Sequence, residues 1–305
     1  MRILFAGTPS TAATVLEGLI SSGHEIVTVL TREDAPVGRK KTLKQSPVAD
    51  VAASHGLRTI KTSKLTPDVL DEIKASKVEL AVVVAYGVIL RQDALDAIPN
   101  GWFNLHFSVL PRWRGAAPVQ HAISAGDTQT GVTLFKIDSG LDTGEVIGVA
   151  ETVIEPEENS GELLQHLSSI GLTLLNQELP KLYAGTHKLN QQSGQESFAP
   201  KIQRADAKVN FSKSSKEIEN LIRAMNPEPM AWCLFAGEPM RIIRARSINH
   251  GVELSQGEVA LVDQKVLVGT GSEQHLEMLE VQPASKNAMS ARAWINGHSG
   301  KVVLD

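Results

Sequence analysis

Runs of four to six mainly apolar residues recur along the first part of the chain, at residues 3–6, 26–30, 80–85 and 102–106, with helical patterns between them. Apolar strands spaced by amphipathic helices predict a parallel sheet covered on both faces. The first helix is expected over residues 10–22, with Val15, Leu16, Leu19 and Ile20 on one face and Gly23 closing it. Pro47 and Pro67 each suit a first helical position, ahead of Val48, Val51 and Ala52 in one case and Val69, Leu70 and Ile73 in the other. Asn159-x-x-Glu162 has the form of a capping box and leads Leu163, Leu164, Leu167, Ile170, Leu174 and Leu175 at helical spacing. A long amphipathic helix should therefore close the first domain near Ala184.

The pattern then changes. From residue 185 to about 205 the chain is polar and rich in turn formers, as a linker would be. Ser214-x-x-Glu217 caps a helix carrying Ile218, Leu221, Ile222 and Met225, and Pro227 stops it. Short strand-like runs near residues 231–235, 240–247, 258–262, 265–269 and 275–281 suggest a small β-barrel. The expected class is α/β: a Rossmann-like, mostly parallel sheet domain over residues 1–185, a linker over 186–205, and a small OB-like β-barrel domain over 206–305.

Composition adds limits. A chain of 305 residues with 42% hydrophobic content is long enough for two cores. Its single cysteine, Cys233, leaves no partner for an intramolecular disulfide and no cysteine zinc cluster, so a reducing, cytoplasmic setting is expected. No window reaches 18 apolar residues and the opening run is too short for a signal segment, so no membrane partner is expected. The formal net charge of −4 argues against a general attraction to nucleic acid. A local basic segment would have to carry any such contact.

The candidate chemistry lies in Asn104-Leu105-His106-Phe107-Ser108-Val109-Leu110-Pro111 and in Ser139-Gly140-Leu141-Asp142-Thr143-Gly144. If residues 102–106 form a strand, alternation puts Asn104 and His106 on one face, about 7 Å apart along it. Asp142 is expected from a glycine-flanked loop at the carboxyl edge of the sheet, where open parallel sheets bind ligands. An amide, an imidazole and a carboxylate suit acyl transfer: Asn104 as donor to an oxyanion, His106 as proton mediator, and Asp142 fixing the His106 tautomer and favouring its charged form. The nine histidines form no H-E-x-x-H or paired-ligand pattern, so no metal is expected. A dehydrogenase fits poorly, because Gly7-Thr8-Pro9-Ser10-Thr11 lacks the G-x-G-x-x-G spacing. A binding module that has lost turnover stays open.

With Arg112-Trp113-Arg114-Gly115-Ala116-Ala117-Pro118, Phe5-Ala6-Gly7-Thr8-Pro9, Val82-Val83-Val84-Ala85-Tyr86-Gly87 and Ala224-Met225-Asn226-Pro227, these segments resemble the formyltransferases that use 10-formyltetrahydrofolate. Within them they look more like the tRNA-directed branch than like relatives acting on a nucleotide sugar, a purine precursor or the folate itself. The resemblance implies that 10-formyltetrahydrofolate is the formyl donor, that the acceptor is the α-amine of methionyl initiator tRNA, and that Asn104, His106 and Asp142 are catalytic. It implies folate contacts from Ser108, Val109, Leu110 and Pro111, and a pterin pocket lined through backbone groups by Val84, Tyr86, Gly87, Val88, Ser139, Gly140 and Leu141. It also implies tRNA contacts from a basic loop over residues 32–45, with Arg39, Lys40, Lys41 and Lys44, continued by Arg112 and Arg114 and extended by Arg241, Arg244 and Arg246.

Overall fold

The computed structural model describes residues 1–37 and 42–305. The chain divides into two compact units, one of Met1–Pro118, Gln129–Val153 and Leu164–Ala199, the other of Val119–Thr128, Ile154–Leu163 and Pro200–Asp305.

In the first unit, parallel strands β1 (Ile3–Gly7), β2 (Ile26–Thr31), β3 (Thr59–Lys61), β4 (Leu80–Val84) and β5 (Trp102–His106) are extended at one edge by antiparallel β6 (Gln129–Lys136) and β7 (Val146–Val153). The order is β7-β6-β5-β4-β1-β2-β3. Every residue of β1 and β4 is buried, which explains why they read as unbroken apolar runs. Helices α1 (Ser10–Ser21), α2 (Pro47–Ser54), α3 (Pro67–Ala75) and α4 (Gln92–Leu95) cover the sheet. Leu4, Ala6, Leu30, Val83 and Trp102 pack with Leu70 and Ile73 of α3 and Ala94 of α4 in one cluster. Alternation sends Ile3 and Phe5 to the opposite face.

Helix α5 (Pro118–Ala125) falls almost wholly in the second unit, while α6 (Ser160–Ala184) gives its first turn to that unit and the rest to the first. The expected start signals operate locally. Ser46 Oγ accepts from Ala49 N at 3.1 Å with Pro47 in the first turn of α2. Asn159 Oδ1 accepts from Glu162 N at 3.1 Å while Glu162 Oε2 accepts from Asn159 N at 2.9 Å, closing the capping box of α6. The chain runs β1, β2, β3 to one side and then β4, β5 to the other, so the crevice beyond β1 and β4 is the switch point of the sheet. Thr8 Oγ1 crosses it, donating to the Tyr86 carbonyl at 3.1 Å.

The expected linker behaves differently in its first part. Residues 186–199 belong to the first unit. Asn190 exchanges two backbone hydrogen bonds with Val146, at 2.8 and 2.9 Å, and Phe198–Ala199 pairs in parallel with Arg114–Gly115. The segment is polar because it hydrogen-bonds to loops instead of entering a core.

In the second unit α7 (Ser215–Met225) starts at a Ser214–Glu217 capping box. Strands β8 (Trp232–Phe235), β9 (Glu238–Ile248), β10 (Glu258–Val262), β11 (Lys265–Val268), β12 (His275–Gln282) and β13 (Val302–Val303) follow in the order β8-β9-β12-β11-β10-β13, with α8 (Ala291–Asn296) before the last. The sheet closes on itself: Phe235 bridges Leu304, and Leu234 exchanges backbone hydrogen bonds with Asp305 at 2.7 and 3.0 Å. Closure removes the open edges, as expected of a small barrel. Cys233 lies inside it, where burial pushes its thiol up to about 12. Among the described residues no helix is long and apolar enough to cross a membrane.

Candidate active site

Along β5 the side chains alternate as the sequence predicts. Leu105 fills the space beside Gly171 of α6, where an added Cβ would collide with a Leu105 methyl. Trp102, Asn104 and His106 therefore point to the other face, where the Trp102 indole donates to the Ala94 carbonyl at 2.8 Å. Asn104 is half-buried and His106 is 5% exposed.

The turn after β5 is built on Thr133, a buried residue of β6 that sequence reasoning missed. Its Oγ1 donates to the Ser108 carbonyl at 2.7 Å and accepts from Leu110 N at 3.1 Å, while Ser108 Oγ donates to the Arg112 carbonyl at 2.6 Å. The chain then passes through Trp113 with φ +59, a left-handed conformation rare for a bulky residue, and its carbonyl meets His106 Nε2 at 2.9 Å. A carbonyl can only accept, so Nε2 carries a proton and Nδ1 is the nitrogen left to titrate. Nδ1 faces Asp142 Oδ2 at 3.8 Å, beyond direct hydrogen-bond distance, and Oδ2 accepts from Gly115 N at 2.8 Å. The tautomer is thus set by the Trp113 carbonyl and not, as expected, by Asp142.

Asp142 reaches this position by a route that strand order alone does not suggest. Strand β6 is antiparallel to β5, with Phe103 opposite Lys136 and His106 opposite Thr133. The loop after β6 starts beside the amino-terminal half of β5, about 10 Å from His106, and has to double back. Asp138 Oδ1 tightens it, accepting from Gly140 N at 2.9 Å and Thr143 Oγ1 at 2.7 Å. Gly144 is needed for close approach, since a Cβ there would overlap the Lys136 carbonyl oxygen. Asp142 itself has φ +51, a second non-glycine residue in the left-handed region at the site.

Burial holds the His106 imidazole below its ordinary value of 6.5, against the upward pull of the Asp142 carboxylate and of the Trp113 carbonyl. Asp142 does favour the charged form, as expected, but burial outweighs it and the resting group is a neutral base. Because the shift is downward, the base stays competent as pH falls to 6.5 and is lost only below it. We expect the His106 imidazole, followed by its ring 15N signals in the free protein, to titrate below pH 6.5. A midpoint at or above 6.5 would show that it does not rest as a neutral base at that pH.

The remaining expected residues are placed unevenly. Val84 and Tyr86 are core side chains, the Tyr86 hydroxyl donating to the Thr62 carbonyl at 2.8 Å, so residues 84–88 offer a ligand mainly backbone. Ala85 and Gly87 are exposed there with φ +48 and +76, and Val88 is half-buried. Ser108, Leu110 and Pro111 are buried and Val109 half-buried; the first two shape the turn rather than present side chains outward. Ser139, Gly140 and Leu141 are exposed.

Among the basic residues, Arg39, Lys40 and Lys41 lie outside the described residues. Lys44 is exposed on a short strand, Thr42–Lys44, that pairs antiparallel with Ala35–Val37, so the expected loop is in part a two-stranded ribbon. Arg112 is exposed with its guanidinium 5.2 Å from the Trp113 ring centre. Arg114 is inward: its side chain is 12% exposed, and Nη1 meets Glu196 Oε2 at 2.6 Å while Nη2 and Nε meet Gln192 Oε1 at 2.7 and 3.2 Å. Its charge is committed within the fold instead of to a phosphate. In the barrel Arg241 donates to Gln282, Arg244 lies 3.7 Å from Glu157 and Arg246 donates to Glu277 at 2.7 Å.

The chain resembles known proteins over nearly its whole length. A family model described as formyl transferase matches residues 1–179, and one described as formyl transferase, C-terminal domain, matches residues 201–299. The chain is 43% identical over 297 residues to the methionyl-tRNA formyltransferase of Renibacterium salmoninarum, covering 97% of this chain and 96% of that one. It is 42% identical over 304 residues to the protein of the same name from Leifsonia xyli subsp. xyli, covering 100% of both. Its fold resembles that of an N-formyltransferase from Helicobacter canadensis, solved with folinic acid and dTDP-3-aminofucose, with TM-score 0.71, 21% identity and coverage of 93% and 99%. A methionyl-tRNA formyltransferase structure from Clostridium thermocellum aligns with TM-score 0.58 and 16% identity over 83% of this chain and 95% of that one.

Proposed function

The chain belongs to the formyl transferase family, and from that premise we propose that it transfers the formyl group of 10-formyltetrahydrofolate to the α-amine of methionyl initiator tRNA, in the cytoplasm. The observation that carries the chemistry is the neutral His106, held as the Nε2–H tautomer with Nδ1 turned toward Asp142. The acceptor is argued from the full-length relatives above 40% identity.

The folate donor supplies an activated formyl carbon. The residues present suit such a ligand: residues 84–88 offer exposed backbone at Ala85 and Gly87 for the polar edge of a pterin, and Leu141 and Ile89, 59% and 89% exposed, offer apolar surface. Asn104 donates to the formyl oxygen as negative charge develops there. His106 takes the proton of the attacking amine at Nδ1. The resulting imidazolium keeps Nε2–H on the Trp113 carbonyl and directs Nδ1–H toward the Asp142 carboxylate, so the charge is matched when it appears. An amine with pKa near about 8 or below needs no stronger base, and no covalent enzyme intermediate is required. Turnover follows when His106 returns its proton to the departing nitrogen.

We assign residues 1–185, with the strap 186–199 that packs on them, to catalysis, the rest of the expected linker to the connection and 206–305 to tRNA binding. The basic contacts are Arg39, Lys40, Lys41, Lys44 and Arg112. The deciding assay is transfer of label from 10-formyltetrahydrofolate to charged initiator tRNA, with free methionine, uncharged tRNA and an amino-sugar nucleotide as controls. Label on the sugar nucleotide and none on methionyl-tRNA would reject the acceptor while keeping the formyl chemistry.

An acidic chain must hold RNA through a few concentrated basic segments, so tRNA affinity is expected to fall steeply from low to moderate salt. Arg39→Ala should weaken tRNA binding, flatten the salt dependence by roughly one phosphate contact and leave affinity for the folate donor unchanged. Superimposable salt series for wild type and Arg39→Ala would remove that segment from the tRNA interface.

A further inference from the structure

The side chain of Gln192 joins both loops that frame the His106–Asp142 pair, yet it comes from a stretch that composition marks only as a linker. Its Nε2 donates to the Asp142 carbonyl at 2.8 Å and to the Gly144 carbonyl at 2.9 Å. Its Oε1 accepts from Arg114 at 2.7 and 3.2 Å. All four contacts are within hydrogen-bond distance, and they use the donor end of the amide for one loop and the acceptor end for the other.

The neighbouring residues continue the strap. Ser197 Oγ accepts from Trp113 N at 2.9 Å, Ser197 N donates to the Pro111 carbonyl at 3.2 Å, and the Ser197 carbonyl accepts from Arg114 N at 2.9 Å. Glu196 takes the remaining end of the Arg114 guanidinium at 2.6 Å. The Trp113 carbonyl fixes the His106 tautomer and Gly115 N holds the Asp142 carboxylate. Residues 190–199 therefore grip, from one side, the two segments whose separation sets the 3.8 Å between His106 and Asp142.

We propose that Gln192 is a positioning residue for formyl transfer: its amide locks the Asp142 loop to the Arg114 segment and so keeps Asp142 facing His106 Nδ1. It touches neither substrate and acts only through these loops. Both Asp142 and Trp113 sit at left-handed φ, conformations that persist only where surrounding bonds hold them, so the loops need such a clamp. Glutamate has the same shape but lacks the two N–H donors. In Gln192→Glu one carboxylate oxygen faces the carbonyls of Asp142 and Gly144, which repel it, while the other can still meet Arg114.

The inference rests on the proposed reaction, and two readouts separate its failure from a failure of that reading. The first is steady-state formylation of methionyl-tRNA by Gln192→Glu and Gln192→Leu, with thermal melting to confirm folding. A misplacement of about 1 Å at a reacting geometry costs on the order of a hundredfold, so kcat should fall about tenfold or more in both variants, with KM for folate and tRNA within about twofold of wild type. A space-filling role predicts wild-type kcat in Gln192→Glu, and that result, or a loss confined to KM, overturns the proposal. The second readout uses no substrate: the imidazole 15N signals of His106 are expected to shift between wild type and Gln192→Glu, and unchanged signals overturn the proposal. If wild type itself forms no formylmethionyl-tRNA, the assigned reaction fails, and the 15N comparison still decides the role of Gln192.

Discussion

His106→Ala is expected to lower turnover by at least about two orders of magnitude in protein that still folds, and Asn104→Ala and Asp142→Ala should do the same for different reasons. On the proposed reaction, removing Asn104 takes away the donor to the formyl oxygen, a loss typically worth about 3 kcal/mol in the transition state. Removing His106 leaves the attacking amine without a proton acceptor. Removing Asp142 leaves the imidazolium buried and unmatched just when it forms, at a position where burial already disfavours charge. Because the three act as one unit, the double variant His106→Ala/Asp142→Ala should cost little more than the worse single one. Single-turnover label transfer measures all four, with melting curves as the folding control. Near-wild-type rates in folded His106→Ala would remove histidine from the mechanism.

The second large effect concerns a residue with no side chain. Gly115 sits at φ +122 and its N–H is the donor that holds Asp142 Oδ2 at 2.8 Å. An added Cβ would lie 2.7 Å from the Ala199 carbonyl, a backbone atom that cannot swing aside. Gly115→Ala should therefore cost about 1–3 kcal/mol in backbone strain and push the segment off Ala199, carrying the Asp142 donor with it. We expect a lower melting temperature and turnover reduced about tenfold or more. Gly185→Ala is the matched control: φ is +67 but nothing lies within 4 Å, so it bears a backbone penalty without crowding and should leave turnover intact. Equal rates in the two variants would mean that the contact to Ala199 does not govern the site.

Local chemistry was legible along the chain. The cap at Asn159, the Ser214–Glu217 box, the buried runs of β1 and β4 and five of the six barrel strands, β8 to β12, follow from short-range patterns, because each depends on residues within a turn or on burial of one strand. The shared face of Asn104 and His106 belongs with these, since strand alternation fixes it.

The strap at 186–199 was hidden because its signal is polarity, and polarity looks the same whether a segment is solvated or hydrogen-bonded to a loop. Gln192 and Glu196 read as tether; the fold commits both to Arg114, which in turn withdraws a charge that sequence assigned to RNA. Thr133 reads as an ordinary strand residue, yet its hydroxyl builds the turn that aims the Trp113 carbonyl.

The sequence by itself determined the elements, the sheet-then-barrel class and which residues to propose for the site, because these depend on periodicity and on neighbours along the chain. Only the tertiary structure decided which nitrogen of His106 titrates, how Asp142 reaches it from the far end of an antiparallel strand, and that the imidazole rests neutral. Those outcomes depend on how separate loops meet around the ring and on exclusion of water from it, and neither quantity exists until the chain has folded.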